Sequence, residues 1–404
     1  MTTVAIVCEY NPFHNGHLYQ IEKVREHFGA DTAIIAIMSG NFVQRGEIAI
    51  LDKWKRAEAA CIAGVDLVLE LPFPYSMSSA EFFASAAVHI AVKAGAKVLS
   101  FGSECGDVEL LKKAATNMSK PEYTDKIKSF GGASNKKSLG YPAICELAYK
   151  ELFGEAEAIA FTPNNILGVE YIKASMRYDN PLKLHTITRH GAGYSEENIV
   201  SGELQSATAI RKIFESNTNS ALKYIPLSTH NTILSASNNK EFPTDAERLA
   251  PAVLTHFRLS DPTVNCEVHD AAGGLYNRLI SKSFEATSIS SLTELCATKK
   301  YTAARIRRAI WFSLFGVTSS DLRELPEYSQ LLACDTVGQL LLKRIKKVSG
   351  FQVLTKPSAT DGLSQKAMRQ KLLSDKADSL FAIARPVKTP GNASLKATPY
   401  VKKQ

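Results

Sequence analysis

The stretch Val7-Cys8-Glu9-Tyr10-Asn11-Pro12-Phe13-His14-Asn15-Gly16-His17-Leu18-Tyr19-Gln20 decides how the rest of the chain is read. It follows a short apolar run, Val4–Val7, and leads into a helical pattern over Leu18–Phe28. A buried strand turning directly into a helix is expected here. His14 and His17 stand three apart, so on the opening turn of a helix they share one face. Gly16 withholds a side chain where a phosphate would approach the backbone. The helix start adds unpaired N–H groups and the positive end of a dipole, and both favour an anion. Pro12 suits the turn before the helix. Together these features describe a cradle for phosphates that stabilises charge growing on phosphorus during a displacement. The plainer reading is that one histidine caps the helix and the other packs.

Outward from this turn, the first 200 residues alternate short apolar runs with helical patterns. Ala33–Met38, Leu67–Leu71, Lys97–Phe101, Ala158–Phe161 and Leu184–Ile187 read as strands. Lys53–Ala63, Ala80–Ala94 and Cys145–Phe153 read as helices between them. That alternation predicts an α/β fold, a Rossmann-like doubly wound parallel sheet with its ligand beyond the carboxyl ends of the strands. After Pro226 the character changes. A polar stretch, Ser228–Asn239, is followed by helical patterns over Ala246–Phe257, Gly274–Lys282, Leu292–Ala297, Thr302–Phe315 and Thr336–Val348. Only Gln352–Thr355 suggests a strand. The expected division is a catalytic domain over 1–226 and a mainly α-helical domain over 227–404.

Charge follows the same division. Residues 1–200 carry 20 basic and 23 acidic side chains, whereas from Lys299 onward there are 20 basic and 7 acidic. A near-neutral front half with a basic rear half suggests a catalytic part joined to a part that meets a polyanion. Lys299, Lys300, Arg305 and Arg308 form one basic cluster around Tyr301, and Lys343 and Arg344 open a second. Both suit phosphate contacts, and neither reads base sequence alone. The longest stretch free of Asp, Glu, Lys and Arg, Tyr224–Asn239, is rich in Ser, Thr and Asn, so no membrane span is expected. The N-terminus lacks the basic lead of a secretory signal. Seven scattered cysteines without a CxxC pair argue against zinc ribbons and point to reduced thiols in a cytoplasmic protein.

The HxGH pattern after the first strand resembles the nucleotidyltransferase superfamily, which shares its Rossmann-like domain with class I aminoacyl-tRNA synthetases. Ser206-Ala-Thr-Ala-Ile-Arg211 is similar to that superfamily's second signature, a Ser/Thr-rich turn opening a helix. Longer phrases narrow the resemblance: Ser39-Gly-Asn-Phe-Val-Gln-Arg-Gly-Glu47, Gly64–Pro72, Phe101-Gly-Ser-Glu104, Asn164-Asn-Ile-Leu-Gly168 and Arg189-His-Gly-Ala-Gly-Tyr194. In this order across residues 1–220, and more weakly around Tyr301–Gly316, they resemble the tRNA(Met) cytidine acetate ligase family. The resemblance implies an enzyme that makes acetyl-adenylate from acetate and ATP and passes the acetyl group to N4 of the wobble cytidine of elongator tRNA(Met). It implies His14, His17 and Arg211 as catalytic residues. It implies that Val7–Gln20, Gly102, Asn164, Arg189, Ser206 and Thr208 bind ATP. Magnesium is expected with ATP, its ligands unknown, and no obligate protein partner is evident. The alternatives are an adenylyltransferase acting on a small phosphorylated metabolite, and a tRNA-binding protein that has lost catalysis.

Overall fold

The structure, a computed structural model, describes residues 1–132, 140–155, 160–188, 205–263 and 267–403. Ten strands are formed among them: β1 (Thr3–Cys8), β2 (Ala33–Ser39), β3 (Phe42–Val43), β4 (Glu47–Ile48), β5 (Leu67–Leu71), β6 (Val98–Ser103), β7 (Lys183–Thr188), β8 (Tyr328–Cys334), β9 (Gln352–Leu354) and β10 (Tyr400–Val401). The main sheet runs β10-β8-β5-β2-β1-β6-β7, with β9 also paired to β8, while β3 and β4 form a separate hairpin. The block β5-β2-β1-β6-β7 is parallel throughout. From β1 the chain winds one way to β2 and β5, then crosses over to β6 and β7. The carboxyl ends of β1 and β6 therefore flank the switch point where a ligand crevice opens.

The strands read as continuous apolar runs because both faces are buried. In β2, Ala33, Ile35 and Ile37 pack with Ala84, Ala87 and Val88 of the helix Ala80–Lys93 on one face. Ile34, Ala36 and Met38 pack with Ile21 and Val24 of Asn15–Phe28 and with Ala57 and Ala60 of Lys53–Ile62 on the other. Period-two alternation thus sorts one apolar run into two cores. The predicted strands over 33–38, 67–71, 97–101 and 184–187 form; of 158–161, Ala158 and Ile159 lie outside the described residues, and Ala160 and Phe161 form a 3-10 turn rather than a strand.

Residues 227–404 depart from the sequence reading in three respects, the first in the sheet. They supply β8 and β10 as well as β9, so the sheet takes strands from both sides of residue 226. β8 lies antiparallel to β5, Leu67 opposite Cys334, and all seven of its residues are buried. Its Ser329 and Gln330 disguise it as a sequence pattern, but both polar groups are satisfied: Ser329 Oγ donates to the Glu70 carbonyl at 2.7 Å and Gln330 Nε2 to the Leu354 carbonyl at 2.8 Å. The polar stretch Ser228–Asn239 is a helix, His230–Asn238, which turns Ile233 and Ala236 onto Ile210, Phe214 and Leu51. The expected helices of this half form, and a long one over Gln365–Ala384 joins them.

Candidate active site

The helix Asn15–Phe28 begins with a capping box made of imidazoles. His14 is the N-cap, and its Nδ1 accepts the Gly16 N–H at 3.1 Å. Three residues on, His17 Nδ1 accepts the His14 N–H at 3.2 Å. The two rings stack with centroids 3.7 Å apart. With Nδ1 accepting in both rings, the neutral imidazoles carry their protons on Nε2. Capping and catalysis are therefore not alternatives at these residues, because the cap fixes which nitrogen is the donor. Gly16 is required by the same stack: a Cβ there would stand 2.9 Å from His14 Cε1. The Tyr10 ring, at a centroid distance of 4.8 Å, packs edge-on against His17.

The turn before this helix is held from below by Arg56, whose side chain is fully buried on Lys53–Ile62. Its guanidinium donates to the carbonyls of Glu9 and Ser39, of Gly40 at 2.6 Å and of Leu51 at 2.9 Å. One side chain thus ties the end of β1 to the end of β2. Burial lowers its pKa to about 10, still far above neutrality. Asn11 Oδ1 accepts the Ile50 N–H at 2.8 Å, and Glu9 Oε1 accepts the Gln44 N–H at 3.1 Å.

A cleft of about 960 Å³, counting its open mouth, lies over the switch point. It is lined by Val7, Cys8, Glu9, Tyr10, Asn11, His14, His17 and Gln20 from the first turn, by Gly102, by Asn164, and by Ser206, Thr208 and Arg211. Pro12, Phe13, Asn15, Gly16, Leu18 and Tyr19 belong to the same segment but stand behind it. Phe13 is core, and Asn15 Nδ2 donates to the Lys223 carbonyl at 3.2 Å. Arg189 lies outside the described residues.

Ser206 caps the helix Ala207–Ser216 by accepting the Ala209 N–H at 3.1 Å. One turn in, Arg211 donates to the Asn11 carbonyl at 3.1 Å, Thr208 Oγ1 at 3.2 Å and Glu47 Oε2 at 3.1 Å. The two signatures, two hundred residues apart in sequence, are therefore joined by one guanidinium.

Asn164 sits in the first turn of Pro163–Ser175, and its Nδ2 donates to Glu104 Oε1 at 2.6 Å. Glu104 also accepts from the backbone N–H groups of Asn164 and Asn165 and from the Thr162 hydroxyl. Burial pushes this carboxyl up, but those bonds outweigh it and hold the carboxyl below its ordinary range. Glu104 belongs to the phrase Phe101–Glu104, but nothing in the sequence marks its role. Gln44, Phe83, Leu167 and Tyr171 also line the cleft without being site candidates from sequence. Gln44 lies within the phrase Ser39–Glu47 and Leu167 within Asn164–Gly168, so a signal is present for both; Phe83 and Tyr171 look like ordinary core positions.

The basic candidates divide. Lys299, Lys300, Lys343 and Arg344 are exposed. Arg305 donates to the carbonyls of Asp270 and Ala272 at 3.0 Å, and Arg308 Nε meets Asp270 Oδ2 at 2.6 Å. Both arginines brace a loop. On the same helix, Ala303–Phe315, Arg307 reaches Glu47 Oε1 at 3.6 Å, so Glu47 bridges this helix to Arg211. Among the described residues no three His, Cys, Asp or Glu side chains converge to hold a metal ion. Magnesium that arrives on ATP is held mainly by phosphates and water with one or two protein carboxylates, so it needs no such cluster. Among the same residues no helix is long and apolar enough to cross a membrane.

The sequence matches the HIGH Nucleotidyl Transferase family over residues 1–391. It is 36% identical to the tRNA(Met) cytidine acetate ligase of Acetivibrio thermocellus over 372 residues, 89% of each chain. Against the protein of that name from Caldicellulosiruptor saccharolyticus the identity is 37% over 349 residues, 86% of each chain. The fold superposes on apo Thermotoga maritima TmcAL with a TM-score of 0.91, at 29% identity and 99% coverage of both chains. Against the same enzyme bound with alpha-thio ATP the TM-score is 0.89, again at 29% identity and 99% coverage of both.

Proposed function

The chain belongs to the tRNA(Met) cytidine acetate ligase family of HIGH nucleotidyl transferases, and from that premise we propose a two-step reaction and a role for each part of the molecule. ATP is the co-substrate, as the alpha-thio ATP complex of the Thermotoga maritima relative supports. It binds across the switch point, with its α-phosphate at the His14–His17 turn. Acetate attacks that phosphorus and pyrophosphate leaves. Charge accumulating on the phosphoryl oxygens meets the Nε2–H donors of His14 and His17, already oriented by the helix cap, while Arg211 and the hydroxyls of Ser206 and Thr208 hold the leaving phosphates. The product is acetyl-adenylate. Linking acetate to AMP replaces oxide with a phosphate as leaving group, and the acetyl group then passes to N4 of the wobble cytidine of elongator tRNA(Met).

Residues 1–226 carry the nucleotide chemistry in this reading and 227–404 hold the tRNA in the cytoplasm. Lys299, Lys300, Lys343 and Arg344 meet phosphates directly. Arg305 and Arg308 hold the loop at Asp270 that completes their surface. The observation that carries the reading is the imidazole capping box in the cleft, joined through Arg211 to the second signature. The experiment is nucleoside analysis of tRNA(Met) incubated with the protein, ATP and labelled acetate, where labelled N4-acetylcytidine is expected. Labelled acetyl-CoA without ATP should give none, and efficient transfer from acetyl-CoA would overturn the ligase mechanism.

A further inference from the structure

Acetyl transfer to a cytidine amine needs a proton acceptor. The N4 lone pair is delocalised into the ring, and the nitrogen becomes strongly acidic as it bonds to the carbonyl carbon, so the proton must leave as the bond forms. Candidates are few among the described residues that line the cleft: Cys8, Glu9, Tyr10, His14, His17, Tyr171 and Arg211 are its ionisable side chains. His14 and His17 have their Nδ1 lone pairs taken by the helix start, and their Nε2 atoms are donors. Burial raises both the Cys8 thiol and the Tyr10 phenol, so each keeps its proton. Tyr171, a phenol, and Arg211, a guanidinium without an acceptor atom, do not supply a base.

We propose that Glu9 takes the N4 proton in the acetyl-transfer step, an assignment that rests on the ligase reading above. The residue is fixed at both ends, by its backbone carbonyl and by one carboxylate oxygen. Arg56 holds the Glu9 carbonyl, and Oε1 accepts the Gln44 N–H at 3.1 Å. Oε2 makes no hydrogen bond among the described residues, and Glu9 lines the cleft. The step balances. The N4 lone pair attacks the acetyl carbon, the bond from that carbon to the adenylate oxygen breaks with its electron pair leaving on AMP, and the N4 proton passes to Oε2. Solvent then removes the proton and restores the carboxylate.

Burial raises the Glu9 carboxyl above its ordinary range, against the pull of Arg211, the Gln44 amide and Arg56, and with the push of Glu47. These are the charges that face it, from the helices Ala207–Ser216 and Lys53–Ile62 and from β4, with Cys8 and Tyr10 beside it in the chain. A raised carboxylate is a stronger base, and the transfer rate should carry its titration.

The test supplies synthetic acetyl-adenylate to the full-length protein with tRNA(Met) and follows a single turnover across pH, which bypasses ATP activation. The wild type should lose transfer on the acid side as Glu9 is protonated. Glu9→Gln retains a carbonyl oxygen for the Gln44 amide, so the turn is preserved. It should transfer on the order of 100-fold more slowly and lose the acid limb. A Glu9→Gln rate within about threefold of wild type, or a slow rate with the acid limb unchanged, would overturn the assignment. A wild-type protein that transfers nothing from supplied acetyl-adenylate would instead overturn the ligase reading, and this one with it.

Discussion

His14 performs two tasks with two nitrogens, and substitution can separate them. Its Nδ1 accepts the Gly16 N–H as helix cap, while Nε2–H is the donor assigned to the α-phosphate. In His14→Asn the amide oxygen stands where Nδ1 stands, and asparagine is among the best capping residues, so the helix keeps its start. What disappears is the donor. Loss of one preorganised donor to a transition-state oxyanion costs about 3 kcal/mol, on the order of 100-fold in rate. His14→Ala removes both, adding about 1 kcal/mol of lost capping. The assay pairs acetate-dependent exchange of labelled pyrophosphate into ATP with thermal unfolding. Both variants should lose about 100-fold in exchange. His14→Asn should melt with the wild type, and His14→Ala roughly 1–2 °C lower. Undiminished exchange in His14→Asn would refute the donor role. A melting temperature as low as that of His14→Ala would refute the cap.

Other variants probe the surroundings of the site. Arg56→Met strips four buried carbonyls of their donor and should cost about 4 kcal/mol, read as a lowered urea midpoint; an unchanged midpoint would contradict its bracing of the first turn. Replacing Lys343 and Arg344 by alanine should weaken tRNA binding and flatten its salt dependence with melting unchanged, whereas alanine at Arg305 and Arg308 should lower both binding and melting temperature. Equal melting of the two double variants would remove the bracing role from Arg305 and Arg308. Burial, helped by Lys93, lowers His89 to about 4, so the unfolded chain takes up its proton first. Folded stability is therefore complete above about pH 6.5 and falls by about 3 kcal/mol as pH drops to 4. His89→Gln should remove that part of the acid loss, and an identical pH–stability curve for the variant would disprove the linkage.

The parts of the fold legible in the sequence are those whose partners are local. The order of β1, β2, β5 and β6 follows from apolar runs and the helices between them, and the imidazole pair is legible because one helical turn brings residues three apart together. β8 is illegible for the opposite reason. Its buried Ser329 and Gln330 make sense only beside the Glu70 and Leu354 carbonyls. The helix Gln365–Ala384 hides similarly, since buried Lys371 and Asp378 interrupt any apolar stripe. Asp378 is buried because Lys53 meets it at 2.7 Å, while also meeting Glu70 at 2.8 Å. Arg305 and Arg308 read as free cations because nothing near them in sequence announces Asp270.

The antiparallel seat of β8 on β5 sets a timetable for synthesis. β5 leaves the ribosome about 260 residues before β8, which at ordinary elongation rates is a wait of roughly 10–50 s. During that interval the nascent nucleotide-binding sheet carries Leu67-Val-Leu-Glu-Leu71 as an open edge, four aliphatic residues around one acid, the kind of strand that recruits foreign strands. Glu70 is the gatekeeper in that run, and Lys53, already synthesised, can neutralise it before Asp378 exists. A chain stopped short of residue 334 never closes this edge. Forms that end between residues 211 and 334 should collect in aggregates even though every residue assigned to ATP is present in them.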